Sequence, residues 1–122
     1  MGRTIPLDMN RLRSLWDAQE ERKKGNLKKA EKKLRKLLKK WPNDIMAMIE
    51  LGGVLLERGH LEESEKIFRY VVKDSAGSTR PEAWRGLVET LQKQGRDDET
   101  KKPLEMAEYW EKSWKEHKEK FG

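Results

Sequence analysis

Three glycines, Gly25, Gly59 and Gly95, stand 34 and 36 residues apart, and each separates two amphipathic stretches. The middle copy is the clearest: Met48-x-x-Leu51-Gly52-x-x-Leu55-x-x-x-Gly59-x-Leu61-x-x-Ser64-x-x-x-Phe68. The third opens Ala83-Trp84, with Leu87 and Leu91 ahead of Gly95, and the first runs Gly25-x-Leu27-x-x-Ala30-x-x-x-Leu34 before closing on Trp41-Pro42. A period near 34 residues, with small and large apolar positions at fixed offsets, points to a stack of repeated supersecondary units, each covering its neighbour's apolar face.

This pattern resembles the tetratricopeptide repeat over about residues 11–108. The resemblance implies an all-α fold: a right-handed α-solenoid of about three helix-turn-helix repeats, six helices, with a long C-terminal capping helix. The whole chain, 1–122, reads as one domain with repeats at approximately 9–42, 43–76 and 79–112 and a helical extension to 121. Ala18, Ala30, Gly52 and Ser64 fall where the family needs close helix–helix approach, so a bulky residue there costs about 1–3 kcal/mol.

Local signals set the element limits. Residues 1–7 read as an irregular lead, and Asp8 or Asn10 is the expected cap of a first helix over about 9–24. Gly25-Asn26 stops that helix, and a second, about 27–40, ends at Trp41-Pro42 because a residue before proline avoids helical geometry. Asn43 or Asp44 then caps a third helix over about 45–58, and a fourth covers about 61–74. Residues 75–80 form a loop, Pro81 suits the first turn of a helix over about 81–94, and the last helix starts between Asp98 and Lys101. A late start puts Pro103 in the first turn, where its missing N–H does no harm.

The family pattern is broken in places. Ser14, Asp17 and Glu21 replace large apolar residues in the first repeat, whose anchors are expected to be Leu12, Leu15 and Trp16. Asp97 and Thr100 stand where the third repeat usually has an aromatic residue and alanine.

Hydrophobic residues make up 34% of the chain and charged ones 41%, which suits a thin layered core rather than a thick one. There is no cysteine, so disulfides and thiolate metal sites are excluded, and no apolar run approaches the roughly 18 residues of a membrane span. Residues 1–10 hold no apolar segment of the secretory kind, so the expected compartment is cytoplasmic. The two histidines, His60 and His117, have no partners suggesting catalysis, and no phosphate-binding loop or nucleophile context is present. The chain is read as no enzyme, with no catalytic residue, no metal site and no cofactor.

In superhelices of this family the first helix of each pair lines the concave face. Transferring that geometry puts Leu12, Leu15, Gln19, Arg22 and Lys23 on one strip and Met46, Ile49, Gly53, Leu56 and Glu57 on the next. Glu82, Arg85, Glu89, Gln92 and Lys93 form the third. The expected groove is apolar over its first two strips, with a shallow pocket at Gly53, and suits an amphipathic helix or an extended peptide of unknown identity. Family members that grip the carboxylate tail of a chaperone do so with basic and amide side chains. The matching positions here are Leu15, Gln19, Glu50, Glu82 and Gly86, which argues against that ligand.

Two further features are left over. Residues 22–40 hold eleven Lys and Arg against one acid, Glu31, which offers an anionic-surface binder (nucleic acid, acidic partner or lipid) as an alternative. The absence of a recognised motif or interleaved stacking residues disfavours nucleic acid. The last helix carries Trp110, Trp114 and Phe121 on one stripe with His117, which offers a homo-oligomeric scaffold as the other. The main expectation is a protein-interaction module working through its concave face.

Overall fold

The computed structural model describes residues 7–121, with side-chain detail from residue 9. Six α-helices follow one another: α1 (Leu7–Lys23), α2 (Leu27–Lys40), α3 (Ile45–Glu57), α4 (Leu61–Lys73), α5 (Pro81–Lys93) and α6 (Lys101–Phe121). Short 3-10 turns, Gly77–Thr79 and Asp97–Glu99, precede α5 and α6. Each odd helix packs on the even helix after it, and α2 on α3 and α4 on α5 join the pairs into a row. Contacts of α3 with α1 and α5 place these three helices side by side. This is the all-α helical repeat solenoid that the spacing predicts.

The three spacer glycines do the same job in each layer. All have positive φ (83°, 80° and 73°), the conformation in which a side chain is strained. At each, the glycine N–H bonds the carbonyl three residues back and the next N–H bonds the one five back: Arg22 and Glu21, Leu56 and Leu55, Gln92 and Leu91. That pair of bonds is the Schellman ending, and it turns each odd helix into its partner.

Most boundaries match expectation within a residue or two, with some corrections. Asp8 and Asn10 are not caps, because both lie within α1. Residues 1–6 of the expected lead lie outside the described residues, and Leu7 is helical. Asp44, rather than Asn43, caps α3 by accepting the N–H of Ala47 at 3.1 Å. α6 starts at Lys101, so Pro103 occupies its first turn, as its missing N–H requires.

The core runs as two connected clusters. Leu15, Leu34, Leu37, Leu51 and Leu55 fill the first, while Phe68, Val71, Trp84, Leu87 and Leu91 fill the second. The small residues fall where close approach demands them: Ala18, Ala30 and Ser64 are buried, and a Cβ on Gly52 would sit 2.8 Å from the Phe68 ring. The Ser64 hydroxyl donates to the Gly52 carbonyl at 2.8 Å, so this buried polar atom is satisfied. Two expected anchors of the first repeat fail. Leu12 and Trp16 are 48% and 59% exposed, and Leu15 alone of the three is buried.

Candidate functional site

α1, α3 and α5 bring the predicted strips together on one side, but the surface they make is polar at its centre. Leu15, Ile49 and Leu56 are buried at 6%, 7% and 6% exposure, so their side chains belong to the packing between helices. Gly53 leaves no open pocket, because a Cβ there would lie 2.6 Å from Nη2 of Arg22. The guanidinium of Arg22 lies across that glycine and reaches two acids of α3, Glu57 at 2.5 Å and Glu50 at 2.9 Å. Gln19 donates to the other oxygen of Glu50 at 3.1 Å. Burial lowers the affinity of Arg22 for its proton, but the bonds to Glu57 and Glu50 outweigh it and hold the group charged. The result is a cleft of about 440 Å³ lined by Gln19, Arg22, Lys23, Glu50 and Glu57.

Apolar surface remains beside this cleft. Leu12 is exposed, Met46 is half-buried, and Met9 and Trp16 continue the α1 stripe at spacings of three and four residues. On the third strip Glu82, Glu89, Gln92 and Lys93 are exposed, whereas Arg85 is held by a two-oxygen ion pair to Glu111 of α6, the shorter contact being 2.7 Å.

The aromatic stripe of α6 is partly spent inside the chain. Trp110 packs against the second core cluster, and its buried indole N–H has no hydrogen-bond partner among the described residues. Trp114 donates to the carbonyl of Thr79 at 2.7 Å while Arg80 lies over its ring. Trp84 donates to Ser78 in the same turn, also at 2.7 Å. Phe121 is left 71% exposed, touching only His117 and Lys120 among ring contacts of the described residues.

One set of residues went unread in the sequence although the period carries it. Glu31, Glu65 and Glu99 are each 34 residues apart, and Arg35 and Arg69 follow the first two by four. Glu31 pairs with Arg35 in its own helix and with Arg58 at the end of α3. Glu65 pairs with Arg69 at 2.7 Å and with Arg96, beyond α5, at 2.6 Å. Glu31 and Glu65 therefore each join their own layer to the next. In the third copy Pro103 stands where the arginine would be. Burial pushes the Glu65 carboxyl up, but hydrogen bonds from Arg69, Gln94 and Arg96 outweigh it and bring it to about 2. Among the described residues no group of histidines and carboxylates is arranged to hold a metal ion.

The paired helices, their glycine endings and the small-residue contacts are those of a repeat stack, and similarity to known proteins agrees. The chain is 37% identical to human tetratricopeptide repeat protein 7A over 75 residues, 62% of this chain. The chain is tetratricopeptide-like. That stretch amounts to 8% of the length of the human protein. The globular C-terminal domain of LpoP from P. aeruginosa superposes with a TM-score of 0.67, covering 87% of this chain and 99% of that domain at 21% identity. At that identity the likeness speaks for the shared tetratricopeptide-like fold. No family model matches the chain.

Proposed function

We propose that this tetratricopeptide-like chain is a non-enzymatic protein-interaction module whose ligand lies along α1 and α3 on the face they share with α5. The observation that carries this is the cleft between the two helices, whose charged groups are fixed in place by Arg22, with Leu12 and Met46 two turns and one turn earlier on the same faces of α1 and α3. Fixed polar groups orient a ligand and apolar anchors beside them supply affinity, which is how a helix or an extended peptide is held. Arg22 and Gln19 take both oxygens of Glu50 but Arg22 takes only one of Glu57, so Glu57 is the acid that would meet a basic or amide group of a peptide bearing an apolar anchor.

Selection from a displayed random-peptide library tests the reading. Glu at Ile49 or Leu56 would only unfold the chain, since both are buried. Leu12→Glu and Lys23→Glu lie on exposed positions and leave the core alone. Peptides enriched on the folded wild type and lost on Leu12→Glu support the site. No enrichment on the folded wild type, or enrichment indifferent to both changes, refutes it.

A second reading, a homo-oligomer joined through α6, draws on the exposure of Tyr109 and Phe121, 62% and 71%. Molar mass by light scattering decides it: a species that doubles with concentration in the wild type and not in Phe121→Ser favours it, and a monomer of 14.5 kDa throughout removes it.

A further inference from the structure

We propose that the lysine face of the first helix pair docks on a bilayer surface carrying anionic phospholipid, separately from the peptide cleft. Lys29, Lys33, Lys36 and Lys40 follow one another on α2 at steps of four, three and four, which aligns them along about 16 Å of one side of the helix. All four are exposed, as are the three other lysines of α2, and no ion pair engages any of the seven among the described residues. Arginine behaves differently there: Arg35 is spent on Glu31 and Glu63.

The seam beside this row is a cleft of about 270 Å³ in which Lys33, Lys36, Lys40 and Trp41 face Ser14 and Asp17 of α1. Asp17 is the one acid in it, and Glu21 lies within the field of Lys29, Lys24 and Lys33. The surplus remains strongly positive: residues 1–44 hold 14 Lys and Arg against 6 Asp and Glu, the reverse of the balance in the rest of the chain.

Charge alone fits any polyanion, and two observations choose the bilayer. First, the cations of α2 that no ion pair engages among the described residues are all lysines, flexible point charges without the rigid fork that grips a phosphate from two sides. Such groups suit a fluid array of headgroups that imposes no register, and each lysine near an anionic leaflet adds its own share of attraction. Second, the half-buried Trp41 lines the same cleft as Lys33, Lys36 and Lys40, with the Lys40 ammonium over its ring. Lysines beside a Trp ring make the two-part surface that settles at a headgroup boundary, the ring entering and the lysine stems spreading over it.

The test is sedimentation with vesicles of phosphatidylcholine alone and vesicles in which a third of the lipid is phosphatidylglycerol. The wild type is expected to bind only the second kind at low salt and to leave it near 1 M salt, where the Debye length is about 3 Å. Reversing Lys29, Lys33, Lys36 and Lys40 to Glu should weaken partition at least about tenfold, the matching Gln variant less, and Trp41→Leu several-fold with charge intact. Circular dichroism checks that each variant stays helical. Three results overturn the proposal: no sedimentation with anionic vesicles at low salt, equal partition of the Glu variant, or a random-sequence DNA duplex that strips the protein from vesicles with Trp41→Leu indistinguishable from wild type. Peptide selection reads the other surface, so failure here leaves that result standing.

Discussion

Phe68 of α4 ends against Gly86 of α5, where a Cβ would collide with the tip of its ring. The same ring touches the site of a Cβ on Gly52, so one aromatic side chain is held between glycines from two neighbouring layers. Gly86→Ala is therefore expected to destabilise the chain by about 1–3 kcal/mol, since the ring is fully buried and cannot swing to solvent. Urea melts of Gly86→Ala, Phe68→Leu and the double variant check the cause. The shorter Leu should relieve part of the clash, so the double variant should lose less than the sum of the two. Strict additivity would mean that the ring and the glycine are energetically independent.

Glu65 gives the chain an acid sensitivity of known sign. Its carboxyl is held at about 2 in the folded state, below the 4.5 of an unperturbed glutamate. A depressed folded value stabilises above the unfolded one and is lost as pH falls from about 4.5 toward 2. Urea midpoints of wild type and Glu65→Gln measured across that window should converge at the acid end. A constant gap from pH 7 to 2 would show that the interaction is not ionic.

The Asp44 carboxylate has two tasks. One oxygen caps α3 through Ala47, and the other pairs with Arg11 of α1 at 2.8 Å. Asp44→Ala should cost about 1–2 kcal/mol by loss of the cap. Asp44→Asn keeps the capping oxygen and should recover most of that loss in thermal melts. Equal damage from both changes would assign the stability to the Arg11 pair instead.

Trp114 ties the last helix to the turn before α5. Trp114→Phe keeps the ring but removes the bond to Thr79, so amide exchange should rise in α6 beyond Trp110 and in residues 77–80, with the first two layers unchanged. Unaltered exchange would mean that the indole bond holds nothing in place.

Much of this architecture is legible because it is enforced by residues that have no substitute. Positive φ at Gly25, Gly59 and Gly95, proline in the first turns of α5 and α6, and the small residues facing Phe68 each leave a mark at a fixed offset. The surface is less legible because periodicity states which side of a helix faces a neighbour but not what a long side chain does there. Arg22 reads as one member of a strip expected to be apolar, yet its length lets it cover Gly53 and tie up two acids. Trp16 and Leu12 read as anchors because they are large and apolar, and the packing of α1 simply points them outward. The Glu31, Glu65 and Glu99 series shares the very period that reveals the repeats, but charged positions are easily passed over when apolar ones define the register.

The placement of Phe68 has a consequence for shape. A flat ring wedged between two backbones acts as a shim, and its thickness fixes how far the third layer leans away from the second. In a short stack that lean is a large part of the total curvature. A single interior substitution, invisible from outside, would open or close the arc of the face that α1, α3 and α5 share.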